Sequence, residues 1–168
     1  DFALPSKDVD IICADKYLVE VFEKTVELTN DPRECANFIL VELMKLLKDN
    51  SVLSEDMSFD ISSLGKIINL LKANKINRGV AKKVFEKVFT ENIDPERYIE
   101  DNSLSMVTDT GAIRDAIEKV IAENEKSVSE YKSGKAQAFG FIMGKCMKAL
   151  KGKANGKEVQ EILKEILG

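Results

Sequence analysis

Residues 30–48 read NDPRECANFILVELMKLLK, and their spacing decides the fold class. Asn30-Asp31 supplies a side-chain cap, and Pro32 stands at the first helical position, where its missing N–H costs nothing. Ile39, Leu43, Met44 and Leu47 then trace one helical face, so the stretch predicts a helix ending near Lys48. Upstream, a helix from about Asp15 places Leu18, Val21, Phe22 and Val26 on a stripe; downstream, Leu64, Ile67, Ile68 and Leu71 form another. Asn77 caps a further helix with Val84, Phe85 and Val88 inward, and Asp94-Pro95 repeats the cap-and-proline signal before a short helix near Tyr98. Helical spacing prevails almost throughout, and no Asn-Gly or Asp-Gly turn separates two alternating runs. The expected fold is all-α.

Periodicity is lost over residues 102–110, which are rich in Ser, Thr and Asp, as in a connection between packed units. The reading is two small helical bundles in tandem, residues 1–104 and 105–168. In the second, Asp109 caps a helix that buries Ile113, Ile117, Val120 and Ile121, and Asn124 opens a short one. Residues 134–150 read as a long helix. Asn155 with Glu158 three residues later reads as a capping box before Val159, Ile162, Leu163 and Ile166. A bundle of about 60 residues is marginal in size but able to fold alone.

The 168 residues are 44% hydrophobic and carry a net charge of −4. No apolar run approaches the roughly 20 residues that span a bilayer, and no signal segment stands at the start, so a soluble cytoplasmic protein with no membrane partner is expected. Cys13, Cys35 and Cys146 are odd in number and far apart, which suggests reduced thiols rather than a disulfide framework. Histidine is absent, which removes imidazole acid–base catalysis, the His-activated nucleophiles and the commonest zinc ligand. No phosphate-cradling Gly-x-x-x-x-Gly-Lys-Ser/Thr loop occurs. Catalytic residues, metal ligands and cofactor-binding residues are therefore expected to be absent from this segment. Paired carboxylates such as Glu23/Glu27 and Glu158/Glu161 read as solvated helix faces.

Charge is distributed unevenly. Residues 131–157 contain seven lysines and no Asp or Glu, which leaves 18 basic residues against 29 acids in the remainder. The lysines are Lys132, Lys135, Lys145, Lys148, Lys151, Lys153 and Lys157, interleaved with Gly134, Gly140, Gly144, Gly152, Gly156, Phe139 and Phe141. Such a tract suits a polyanion. At about 100° per residue, Phe139, Met143, Cys146, Met147 and Leu150 share the expected core side of the 134–150 helix. Lys145 and Lys148 fall nearly opposite with Phe141 between them. Phe141 could stack on an unpaired base while the lysines hold phosphates, or it could pack against a neighbouring helix. Gly140 and Gly144 admit either a close helix or a close RNA backbone. Arg78, Lys82 and Lys83, with Lys75, form a smaller basic cluster diluted by nearby acids and stand as an auxiliary contact.

The tract YKSGKAQAFGFIMGKCMKALKGKANG (residues 131–156) resembles the C-terminal tail of the B subunit of the aspartyl/glutamyl-tRNA(Asn/Gln) amidotransferases. The likeness is most specific over residues 131–155 and 159–168. It continues upstream through Asp31-Pro32-Arg33-Glu34-Cys35-Ala36-Asn37, Ala81-Lys82-Lys83-Val84-Phe85-Glu86 and Val120-Ile121-Ala122-Glu123-Asn124. Glu125 and Gly156 stand where that family often has proline, so the local caps differ. The resemblance implies a helical domain over residues 1–104, a tail domain of the YqeY-like kind over 105–168, and a chain that is a fragment of a longer polypeptide.

That family amidates mischarged Glu-tRNA(Gln), and often Asp-tRNA(Asn), in protein biosynthesis. The resemblance implies tRNA as the ligand of Lys132, Lys135, Phe141, Gly144, Lys145, Lys148, Lys151, Lys153 and Lys157, with Arg78, Lys82 and Lys83 auxiliary. It also implies the A and C subunits of the complex as partners. Glutamine hydrolysis lies in the A subunit, while ATP and Mg²⁺ are used in the N-terminal part of the B subunit; the segment itself would be catalytically silent. The competing readings are a helical protein-interaction adaptor and a stand-alone YqeY-like protein, which shares the Lys-Gly-Lys-Ala turn.

Overall fold

The computed structural model describes residues 3–168, which form helices, turns and loops with no strand among them. The chain divides into two compact units, Asp1–Leu104 and Ser105–Gly168.

The first unit comprises α1 (Ser6–Cys13), α2 (Lys16–Thr29), α3 (Pro32–Asn37), a π-helical turn over Phe38–Leu43, α4 (Met44–Asn50), a 3₁₀ turn, α5 (Ile61–Lys72), α6 (Arg78–Glu91) and α7 (Pro95–Asp101). The starts of α2, α3, α6 and α7 fall where the sequence places them. Asp15 accepts from the Tyr17 N–H at 2.9 Å, Asp31 from Glu34 at 3.1 Å, Asn77 from Val80 at 2.8 Å and Asp94 from Arg97 at 2.9 Å. Each bond satisfies one of the orphan donors of a helical first turn. Asn30, Asn74 and Asn92 adopt left-handed conformations and close α2, α5 and α6, a position asparagine tolerates better than most residues.

Phe38, Ile39, Leu43, Leu64, Ile67, Ile68 and Phe85 are fully buried. The Phe85 ring meets Phe38 and Phe59 edge-on, with centroids 6.2 and 5.6 Å away, the geometry favoured by ring quadrupoles. Helices α2 and α5 approach closely at Gly65, where a Cβ would lie 2.8 Å from Leu28 Cδ1. Two features depart from the sequence expectation. Helix α1, capped by Pro5, precedes the first helix expected. The helix expected to run evenly to Lys48 is interrupted by the π turn, whose wider winding rotates the following face. As a result Ile39 and Leu43 are buried, Leu47 is only partly covered and Met44 is 39% exposed.

The second unit contains α8 (Thr110–Glu123), α9 (Glu125–Lys132), α10 (Ala136–Ala149) and α11 (Gly156–Leu167). Ile113, Ile117, Ile142, Cys146, Val159 and Leu163 are its fully covered centre. Asp109 caps α8 through the N–H groups of Gly111 and Ala112. Val107 donates its N–H to the Lys153 carbonyl at 2.6 Å, which fastens the start of the unit to the α10–α11 turn. Arg114 and Glu165 pair at 2.8 Å between α8 and α11.

Four expectations in this unit are corrected. Helix α10 is shorter than 134–150 because Gly134 is left-handed, with φ +97°, and Lys135 is extended. Its buried stripe is Ala138, Ile142, Cys146 and Leu150, with Phe139, Met143 and Met147 flanking it. Phe139 lies at the edge because its ring turns toward Tyr131, 5.5 Å away, and beneath the Lys164 ammonium. Asn155 caps α11 through the Lys157 N–H, and Glu158 accepts from the Thr110 hydroxyl at 3.2 Å, so the capping box is replaced by a tie between α8 and α11. As expected, Asn124 stands at the start of α9, where its carbonyl accepts from the Val128 N–H, while its side chain donates back to the Val120 carbonyl and also closes α8. Ile121 and Ile166 are partly buried, and Leu167 takes the terminal core position.

Candidate nucleic-acid interface

The solvent side of α10 is built by elimination: with Ala138, Ile142, Cys146 and Leu150 inward, the helical period turns Gly140, Phe141, Gly144, Lys145 and Lys148 outward. All five are exposed, and Phe141 retains 51% of its accessible surface. The Lys145 ammonium lies 5.3 Å from the Phe141 ring centroid, a cation–π contact that holds both side chains on one face. A Cβ placed on Gly140 or Gly144 would meet nothing within 4 Å. Neither glycine accommodates a neighbouring helix of this chain's described residues, so the packing reading of that pair is not realised here.

Helix α10 ends in a Schellman motif, with the Gly152 N–H donated to the Met147 carbonyl and the Lys151 N–H to that of Lys148. Lys151 occupies the left-handed position of this motif at φ +53°, where glycine is usual. Lys132, Lys135, Lys151 and Lys157 are exposed and Lys153 is half-buried. Lys135 pairs with Glu130 at 3.5 Å. No carboxylate among the described residues forms an ion pair with Lys145 or Lys148. The structure thus brings Phe141, Gly144, Lys145 and Lys148 together on α10, while Lys132 and Lys135 flank its start and Lys151, Lys153 and Lys157 flank its end.

The auxiliary residues differ. The Arg78 guanidinium is 2.6 Å from Glu34 and 5.6 Å from the Phe38 ring centroid, and Lys82 pairs with Glu42. Lys72 similarly reaches Asp31 at 3.5 Å and donates to the Thr29 carbonyl. Lys83 forms no ion pair with a described residue. Residues 1–104 carry 14 Lys and Arg against 20 Asp and Glu, whereas residues 105–168 carry 11 against 9.

No group of three or more His, Cys, Asp or Glu among the described residues is arranged to hold a metal ion. Burial pushes the Cys146 thiol up, and that of Cys35 despite an opposing hydrogen bond from Thr29, so neither is a ready thiolate. No helix of the described residues is long and apolar enough to cross a membrane. What the sequence reading missed is the acidic and amide rim beside Phe141. Glu130 and Gln137, with Lys126, Ser127 and Ala138, line a groove of about 390 Å³ between α9 and α10 that Phe141 closes on one side. The available signal was the position of Glu130, immediately before the acid-free tract.

By architecture the chain is an all-α protein whose second unit presents a lysine- and glycine-rich helix face to solvent. It matches the family model of the GatB domain over residues 20–167 and belongs to that family. It is 45% identical over 167 residues to the B subunit of the aspartyl/glutamyl-tRNA(Asn/Gln) amidotransferase of Lachnoclostridium phytofermentans, and 42% identical over 173 residues to that of Lachnospira eligens. Each alignment covers 99% of this chain and 35% and 36% of the respective relative. The corresponding Finegoldia magna protein is 36% identical over 98% of this chain and 35% of its own length. The chain spans about a third of the length of the curated relatives it matches, and the portion matched is their C-terminal part.

Proposed function

We propose that this chain is the tRNA-holding part of the B subunit of an aspartyl/glutamyl-tRNA(Asn/Gln) amidotransferase, working in the cytoplasm with the A and C subunits. In this reading it positions mischarged Glu-tRNA(Gln), and Asp-tRNA(Asn) where that substrate is used, for amidation elsewhere in the complex. The observation that carries it is the outward Phe141–Lys145–Lys148 face of α10, whose two lysines have no carboxylate partner among the described residues. The ammonium groups bind phosphate, the bare Gly140 and Gly144 allow close approach, and the ring offers a stacking surface. Residues 105–168 serve as the tail domain and residues 1–104 as the helical domain before it. In this reading ATP and Mg²⁺ chemistry belongs to the remainder of the longer polypeptide.

The test is fluorescence anisotropy of labelled tRNA(Gln) titrated with this chain at several salt concentrations. Neutralising about three to five phosphates gives a slope of log affinity against log salt of roughly −2 to −4. The double variant Lys145→Glu/Lys148→Glu is expected to weaken that binding on the order of 100-fold, below detection at moderate salt. Binding unaffected by the variant would move the RNA to another surface, and absence of binding at low salt would favour the protein-adaptor reading.

A further inference from the structure

On a surface that faces a polyanion, a carboxylate is a liability unless it has a task. Glu130 lies beside the tract of residues 131–157, which holds no other acid, and its side chain lines the α9–α10 groove together with Ser127, Gln137 and Ala138, with Phe141 as one wall. Lys135 holds its Oε1 at 3.5 Å. We infer that this groove takes a single unstacked guanine base of the bound RNA, stacked on Phe141 and read at its Watson–Crick edge by Glu130.

This rests on the tRNA-binding reading and specifies what it grips. An ionised carboxylate only accepts hydrogen bonds. Guanine is the nucleobase whose pairing edge presents two adjacent donors, N1–H and the 2-amino group, matched to the two oxygens of one carboxylate. Adenine and cytosine each present an acceptor beside their amino group, and uracil flanks its single N–H with carbonyls; both arrangements place an oxygen or nitrogen lone pair against Glu130. The Gln137 amide can donate to guanine O6. Phe141 lines the groove, is half exposed and carries the Lys145 ammonium 5.3 Å from its centroid, so its ring is open to stacking, and splayed bases held between aromatic and polar side chains are the common mode of single-strand RNA readout.

The test uses the 168-residue chain and labelled single-stranded heptamers of uridine with guanine, inosine or adenine at the centre. Guanine is expected to bind about tenfold tighter than adenine, within the range of a good bidentate base contact, with inosine, which lacks the 2-amino group, between them. In Glu130→Gln the preference should fall to about twofold while affinity for the adenine oligomer holds or rises, because a negative charge has gone. A purely structural role for Glu130 would weaken all three oligomers together. Equal binding of the three bases, a guanine preference unchanged in Glu130→Gln, or no oligomer binding at all would overturn the inference. Titration of intact tRNA in parallel separates the two proposals: salt-sensitive binding lost in Lys145→Glu/Lys148→Glu but indifferent to Glu130→Gln leaves the lysine surface standing and removes the guanine pocket.

Discussion

The basic clusters at the start of α6 and along α10 use the same residue types to opposite ends. In the first, Arg78 and Lys82 are each spent on a carboxylate, Glu34 and Glu42, and Arg78 also covers Phe38. In the second, Lys145 leans on an aromatic ring and Lys148 faces water. A paired cation holds its own fold together and offers a phosphate little net charge. A cation held by a ring keeps its full charge for an external anion. Counting lysines therefore says less about polyanion binding than asking which acids stand opposite them.

The largest test of that difference is charge reversal at both places. Lys145→Glu/Lys148→Glu should weaken tRNA binding on the order of 100-fold with the melting temperature unchanged, whereas Lys82→Glu/Lys83→Glu should change binding by no more than about threefold and lower stability instead. Comparable losses of tRNA affinity at the two clusters would erase the distinction. Next in size, Arg78→Ala should cost about 1 to 2 kcal/mol in urea unfolding, because it removes a cation–π contact and leaves the half-covered Glu34 unpaired, and it should leave tRNA affinity within about twofold. Lys151→Gly separates the two roles within one residue. Relief of the left-handed strain should raise stability by about 1 kcal/mol, while loss of the ammonium should weaken tRNA binding a few-fold; a change of the same sign in both would contradict its place in the interface.

The smallest effect concerns acid. Hydrogen bonds from Ser62 hold the Asp60 carboxyl below the usual carboxylate range, and the Arg97 N–H together with Lys66 does the same for Asp94. Both groups ionise at lower pH when folded than when unfolded. Their contribution is complete above the unfolded value of about 4 and lost as pH falls through the folded values. Asp94→Asn keeps a competent cap, so it should lower stability modestly at about pH 7 and flatten the decline in melting temperature as pH falls below about 4. An unchanged acid limb would show that the Lys66–Asp94 pair carries no linkage.

Most helix starts were legible because their signals are local. Asp31-Pro32, Asn77, Asp94-Pro95 and Asp109 each announce an N–H to be capped within three residues, and the structure makes those bonds. What escaped depends on partners distant in sequence. The run Phe38-Ile39-Leu40-Val41 has too many adjacent apolar residues for one α-helical stripe, and only the folded unit, which buries Phe38 and Ile39 and leaves Val41 half exposed, shows that the chain widens into a π turn there. Spacing places Phe139 in the core, but Tyr131 and Lys164 draw it to the edge. Glu158 fitted the local capping pattern, yet Thr110, 48 residues away, engages it instead. The outward position of Phe141, Lys145 and Lys148 followed from the helical period alone. The groove beside them did not, since it needs α9 and α10 folded together.

The two bare glycines of α10 have a consequence for the motion of that helix. Each interior glycine costs about 1 kcal/mol relative to alanine, and at Gly140 and Gly144 no neighbouring atom offsets it. Helix α10 should therefore open locally more often than α11, and its backbone amides should exchange with solvent deuterium sooner despite the fully covered Ile142 and Cys146 beneath. A ligand lying across that face would quiet those openings, so the slowing of α10 exchange upon binding would report occupancy of the surface directly.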